Sequence, residues 1–405
     1  MRIRSITSFY DPASAAAEND LHLLAETSKA LTQEIEALLP VQSTRLATSP
    51  FPTWLMGRNL SEVVAQVKNL EIQSRQMGWT YLSMGPALPE FLSTYQMIPQ
   101  LLQETQNVFF GGVMADSKRI YPQAINLCAE VIHRNAVIEA DGFANLRFSA
   151  LANVPPFTPF MPAAYNQPDE PPSISLAVEC ADMVVDAFKN STDLEASRSR
   201  LLSSLESAAV KVEKIVNDIV ADSGVVFRGF DFSPAPFPDD WCSLGGAVEA
   251  LGLEHIGGAG SLAAVAFVAD TLDKGKWPRA GFNGMMLPVL EDSVLARRAT
   301  EGFLSVKDLL LYSSVCGTGL DTIPLSGDIT REELAGILLD VAALSVRLAK
   351  PLTARLMPVP GKKAGDKTDF KFDFFANSRV MPLEGQQLSL PLMGGSSISL
   401  TPRNR

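Results

Sequence analysis

The sequence predicts an α/β fold on three observations. Short apolar runs rich in β-branched and aromatic residues alternate with longer stretches whose apolar residues recur every three or four positions. Several of the longer stretches open on capping signals, as in Asn59-Leu60-Ser61-Glu62 and Thr330-Arg331-Glu332-Glu333. Between Gly229 and Leu325, short acidic or glycine-rich segments separate strand-like from helix-like runs. Loops at strand ends are where α/β proteins bind ligands.

In chain order, residues 2–9 alternate as a strand. Residues 13–39 form a helix through Leu21, Leu24, Leu31, Ile35 and Leu38, and Pro40 stops it. Val41–Thr48 is the next strand, and the capped helix that follows runs to about Met77. Trp79–Met84 is a short buried strand, Pro86 and Pro89 announce another helix, and Val108–Met114 is strand-like. Lys118–Arg134 is helical, with Ile120, Ala124, Leu127 and Val131 on one face.

Residues 153–173 break the rhythm with seven prolines, so a long loop or lid is expected there, and the most mobile element of the chain. Ser173–Val178 resumes a strand. Leu194–Val220 is a long helix whose stripe of Leu201, Leu205, Ala208, Val212, Ile215 and Ile219 fits a core face better than a partner-binding face.

Val225–Phe232 is a strand, and a helix runs from Asp239 and Asp240 through Leu251. Leu253–Ile256 is a short strand and Ser261–Leu272 a helix of small residues. Met285–Val289 is a strand, Asp292–Arg298 begins a helix, Ser305–Ser314 is helical, and Leu320–Pro324 is extended. The helix capped at Thr330 reaches Leu348. Leu352–Val359 and Phe370–Phe375 are strands around a polar turn at 362–367. The tail, 383–405, is rich in Gly, Ser and Leu and reads as irregular. No fixed-period repeat is present.

The 405 residues are 46% hydrophobic, enough for a large core, either one big barrel or two domains. A net charge of −11 disfavours nucleic acid and anionic lipid as main partners. The amino terminus lacks the apolar run of a signal peptide, and no window approaches the about 18 apolar residues of a membrane span. The four cysteines form no CxxC pair, and a reducing cytoplasm fits them. With only His22, His133 and His255, a histidine-rich zinc site is not expected.

Asp231, at a strand end before two prolines, is a metal ligand or general base, or a turn aspartate. Glu291 and Asp292 are adjacent at a strand-to-helix switch. Paired carboxylates there can hold a hard cation or keep one proton as a general acid, while Asp292 also suits a helix cap. Gly258, Gly260 and Ser261 could present N–H groups to a carboxylate or phosphate, or be small for close packing. Cys316 is the one cysteine on a glycine-rich loop, and is a nucleophile or a buried thiol. Asp321 could join Asp231 and Glu291 in a cluster suited to magnesium, manganese or calcium. Asp373, Asn377 and Arg379 are candidate substrate-orienting groups.

These motifs carry a resemblance that covers nearly the whole chain. Phe230-Asp231-Phe232-Ser233-Pro234-Ala235-Pro236, Gly252-Leu253-Glu254 with Gly257-Gly258-Ala259-Gly260-Ser261, Pro288 to Asp292, and Cys316 to Pro324 are similar to domain-of-unknown-function family 711. The resemblance implies a fold related to pyruvate formate-lyase and anaerobic ribonucleotide reductase: a single ten-stranded α/β barrel over 1–405, with outer helices and internal finger loops. Cys316 is similar by position to the thiyl cysteine of those enzymes. Their carboxy-terminal glycine has no counterpart, because Arg379-Val380 is followed by Met381-Pro382. Glycyl-radical chemistry is therefore not expected. Two functions stand open: an enzyme acting on a small polar or anionic metabolite in the barrel mouth, or a non-catalytic ligand-binding or regulatory protein on such a scaffold. A homo-oligomer suits either.

Overall fold

The computed structural model describes residues 1–403, and among them it contains eleven strands and twelve α-helices. The strands are β1 (Arg2–Tyr10), β2 (Thr44–Thr48), β3 (Tyr81–Ala87), β4 (Val108–Ala115), β5 (Arg119–Ile120), β6 (Phe148–Ala152), β7 (Ser173–Glu179), β8 (Val226–Asp231), β9 (Gly319–Ser326), β10 (Leu352–Val359) and β11 (Ile398–Ser399). Nine follow one another in the order β8-β7-β1-β2-β3-β4-β6-β10-β9, and the short β5 and β11 pair beside β4.

The middle of this order, β1-β2-β3-β4-β6, is parallel throughout. The pairs β7-β8 and β10-β9 are each parallel and join the middle antiparallel, through β1 and β6. Parallel neighbours need crossover connections, and most of the helices supply them. Phe230 of β8 bridges Arg279, and Asp321 of β9 bridges Pro288. The two outer strands are thus both touched by one segment, 279–288, and the sheet curls toward it.

Period-2 alternation sorts the strand residues onto two faces. Ile3, Ile6, Leu46, Leu82, Phe110, Phe148, Leu320 and Leu352 belong to the main core with helix residues such as Leu24, Val67, Ile132 and Leu338. Each such side chain contributes roughly 1.5–3 kcal/mol on full burial. The opposite face carries Arg4, Arg45, Tyr81, Phe109, Ser149, Asp321 and Arg355, and these line a cavity.

The proline-rich stretch has no regular structure, as its composition predicts, but it packs into the interior. Residues 158–164 are all buried. The Pro159 carbonyl accepts from Thr7 Oγ1 (2.9 Å) and the Ala164 carbonyl from Ser83 Oγ (2.7 Å), while the Asn166 N–H donates to the Thr48 carbonyl (2.9 Å). Three inward strands therefore hold the loop where the expectation was mobility.

Three predicted strands are not strands. At 253–256 the chain turns, and the Ile256 N–H goes to Glu249 Oε1 (3.0 Å) instead of a ladder. Segment 285–289 makes only the bridge at Pro288, which has no N–H to extend it, and enters a 3-10 turn at Val289–Glu291. The aromatics of 370–375 stack on one another and on Phe143, with Phe370 and Phe375 rings 5.3 Å apart, so their apolar surface is buried without a ladder. Strand β6 and a helix over Ala181–Lys189 are additions.

Candidate functional site

The cavity is about 180 Å³ and is walled by the inward residues of seven strands, the buried loop and the 282–291 segment. Its charged part is a chain of ion pairs. Arg355 on β10 donates from Nε to Asp321 Oδ1 (2.5 Å) and from Nη2 to Glu291 Oε1 (2.7 Å). Arg4 on β1 donates from Nη2 to Glu291 Oε2 (3.1 Å) and from Nη1 to Glu179 Oε2 (2.9 Å), and Arg2 also pairs with Glu179 (2.5 Å).

Arg45 on β2 stands apart from this chain. It is 8% exposed, its Nε donates to Ser43 Oγ (3.1 Å), and its guanidinium lies 5.8 Å from the Tyr81 ring centre. Among the described residues no carboxylate lies within 4.0 Å of it. Four arginines thus face three carboxylates, and the unmatched charge belongs to Arg45. Burial, reinforced by the like charge of Arg4, pushes Arg45 down to about 9. It remains cationic at neutral pH. A buried cation without a counter-ion is costly, and an incoming anion removes that cost.

Burial pushes the Asp321 carboxyl above its ordinary value, against Arg355, and the negative charge of Glu291 adds to the shift. Burial opposes the charge on Arg355, but Asp321 and Glu291 outweigh it and hold the guanidinium above its ordinary value. The site therefore places a proton-accepting carboxyl beside a fixed cation, an arrangement suited to acid–base work on an anion.

Local backbone aims these groups. Thr322, next to Asp321, has φ of +44°, a conformation a β-branched residue rarely takes. It sits where the β9–β10 register shifts, so the ladder is bulged beside Asp321. Thr322 Oγ1 accepts from the Leu290 N–H (3.4 Å), which ties the bulge to the turn that carries Glu291. Strain of this kind is common at functional sites.

Glu291 and Asp321 are brought together through Arg355. Asp231 does not join them. Its carboxylate is fully buried and accepts from Ser233 N–H (3.0 Å) and Oγ (2.6 Å) and from the N–H groups of Phe282 (2.7 Å) and Asn283 (2.9 Å). It folds the 280–284 loop. Among the described residues no three of His, Cys, Asp and Glu are grouped to hold a metal ion. The three-carboxylate set for magnesium, manganese or calcium is therefore not assembled, because the third carboxylate is committed to backbone N–H groups.

Asp292 is a cap for two helices. Its carboxylate accepts from Val294 and Leu295 (both 3.0 Å) at the start of Ser293–Glu301, and from Ser243 Oγ (2.5 Å), Leu244 (2.6 Å) and Gly245 (3.2 Å) at the start of Leu244–Glu249. Cys316 is the last residue of helix Val306–Cys316 and is buried in the main core. It does not line the cavity, although Thr318, two residues on, does. Gly258, Gly260 and Ser261 lie away from the cavity wall. Beside them Gly257, at φ +106°, is packed on the Phe303 carbonyl, and Ser261 Oγ accepts the Gly257 N–H (3.1 Å). Arg379, Asn377 and Asp373 are exposed and outside the wall, and Asn377 Oδ1 accepts from Thr368 Oγ1 (3.0 Å) and the Phe370 N–H (2.8 Å).

Arg4, Arg45 and Arg355 were not among the predicted residues. Their signal is an arginine inside a strand next to buried apolar residues, as in Ile3-Arg4, Arg45-Leu46 and Ala354-Arg355-Leu356, where the charge lies on the face opposite the core and needs a partner or a ligand.

The four cysteines are unpaired, and among the described residues no helix is long and apolar enough to cross a membrane. The chain is 33% identical over 353 residues to a UPF0210 protein of Syntrophobacter fumaroxidans, covering 82% of this chain and 77% of the relative. It is 36% identical over 284 residues to a UPF0210 protein of Pyrobaculum aerophilum (67% and 62%) and 29% identical over 400 residues to one of Pyrobaculum islandicum (93% and 87%). Residues 1–377 match the family described as Uncharacterised ACR (DUF711), and the chain belongs to that family.

Proposed function

We propose that this protein is an enzyme that binds a small anionic metabolite in the cavity and performs acid–base chemistry on it. The observation that carries this reading is the buried guanidinium of Arg45, without a carboxylate partner, in the same cavity wall as a carboxyl at Asp321 that burial inclines to hold a proton. Arg45 binds the anion, Arg355 and Arg4 hold Asp321 and Glu291 in place, and Asp321 gives or takes the proton. The unpaired thiols support a reducing cytoplasm.

The curled sheet, with segment 279–288 along both outer strands, supports a ten-stranded barrel of the pyruvate formate-lyase type. Pro382 in place of the glycine argues against a stored radical.

A second reading is a non-catalytic binding protein. It is favoured by the guanidinium bonds that already occupy Asp321 and Glu291.

The test is a thermal-shift screen of small organic anions, followed by turnover assays on the hits. Stabilisation abolished in Arg45→Gln, with turnover lost but binding retained in Asp321→Asn, is the expected result. Binding without turnover in wild type selects the second reading. Hits that stabilise Arg45→Gln equally refute both.

A further inference from the structure

The uncharged part of the cavity restricts which anions fit. Phe109, Phe160, Phe282, Phe372, Met161 and Met286 contribute apolar surface to its wall. Four of the five wall hydroxyls are already used on backbone carbonyls, Ser43 on Arg4 (2.8 Å), Ser149 on Ala150 (3.4 Å), Thr318 on Met285 (2.7 Å) and Thr353 on Thr318 (3.0 Å), which leaves the phenol of Tyr81 as the one hydroxyl of the wall open to a ligand. A ligand rich in hydroxyls would leave several of them unpaired, at about 1–3 kcal/mol each.

Charge restricts the ligand further. With Asp321 ionised against Arg355, one guanidinium is unmatched, and Glu291 and Asp321 share the same wall. A dianion such as phosphate brings one negative charge more than the site can match, next to two carboxylates. Like charges so placed repel. A planar carboxylate also fits the two-pronged face of a guanidinium.

Size completes the description. An apolar cavity of roughly 150 Å³ holds one benzene ring. By that measure, 180 Å³ accommodates a ring-sized body with its carboxylate directed at Arg45.

Resting on the anion-binding reading above, we infer that the cavity selects a small monocarboxylate with an apolar, ring-sized body. Arg45 meets the carboxylate, and the phenylalanine and methionine wall takes the body. Sugar phosphates, di- and tricarboxylates and free phosphate are disfavoured.

Titration calorimetry of the full chain at neutral pH with sodium benzoate, sodium acetate, inorganic phosphate and benzyl alcohol tests this. Benzoate should bind at least about tenfold tighter than each of the others, a gap of about 1.4 kcal/mol, and Arg45→Gln should lose it. Met286→Gln, which makes the wall polar and keeps Arg45, should weaken benzoate and leave acetate unchanged. Acetate or phosphate binding as tightly as benzoate, in an Arg45-dependent way, overturns the apolar selectivity but leaves the anion site standing. Benzyl alcohol matching benzoate, or no probe binding at about 10 mM, where even the weakest specific sites begin to fill, overturns both.

Discussion

Replacing Arg355 by Met removes the guanidinium that holds Asp321 and Glu291 together while keeping most of the side-chain volume. Glu291 retains Arg4 at 3.1 Å, but Asp321 has no second ion-pair partner among the described residues. A unit charge pair about 4 Å apart attracts by about 4 kcal/mol at an effective dielectric constant of about 20. Stripping one partner from a buried pair costs about 3–5 kcal/mol. Arg355→Met should lose about that much at mildly alkaline pH.

The loss must depend on pH in one direction. Burial already holds the Asp321 carboxyl above its ordinary value, and loss of Arg355 raises it further. A carboxyl whose folded pKa is raised contributes stability that is fully present below its unfolded pKa, near 3.9, and is lost as pH rises through the folded value. The deficit of the variant relative to wild type should therefore begin to grow only as pH passes the wild-type folded value of Asp321, which lies above about 3.9, should rise by at most about 1.4 kcal/mol per pH unit, and should shrink in acid. Urea denaturation of both proteins at several pH values measures it, and Arg355→Met with Asp321→Asn should recover part of the loss. A deficit below about 1 kcal/mol in alkali, the range of an exposed pair, would refute the buried ion-pair network. So would a deficit that grows toward acid.

Other consequences concern the scaffold. Asp292→Ala leaves five donors of two helix starts without their acceptor, and at about 1–3 kcal/mol for each buried group it should cost at least about 4 kcal/mol by urea denaturation. Gly257→Ala forces a Cβ to within 1.9 Å of the Phe303 carbonyl at φ +106°, and should lower the thermal midpoint by the equivalent of at least about 2 kcal/mol. At Gly258 a Cβ would meet nothing closer than 3.5 Å, so Gly258→Ala should stay within the roughly 0.5 kcal/mol of an ordinary surface change. Equal effects at the two glycines would refute the close packing of Gly257 on the Phe303 carbonyl as the cause.

The α/β class, the capped helices at Asn59 and Thr330, and most strands of the sheet were legible in the sequence, because alternation and capping act over a few residues. Glu291 and Asp321 were also singled out there, each at a junction between an extended run and a turn or helix. Their pairing through Arg355 was not, since β10 reaches β9 only in the folded sheet. Asp231 looked equivalent to them, and the neighbouring 280–284 loop, about fifty residues on in the chain, decides otherwise by occupying its carboxylate. The proline-rich stretch announced irregular backbone, but its place inside the curled sheet depends on the hydroxyls of Ser5, Thr7 and Ser83 and on the carbonyl of Thr48, on three strands far from it in sequence. The charge balance of the cavity belongs wholly to the tertiary structure. Each arginine is acceptable in its own strand, and only the closing-up of β1, β2, β9 and β10 shows that Arg45 is left without a partner.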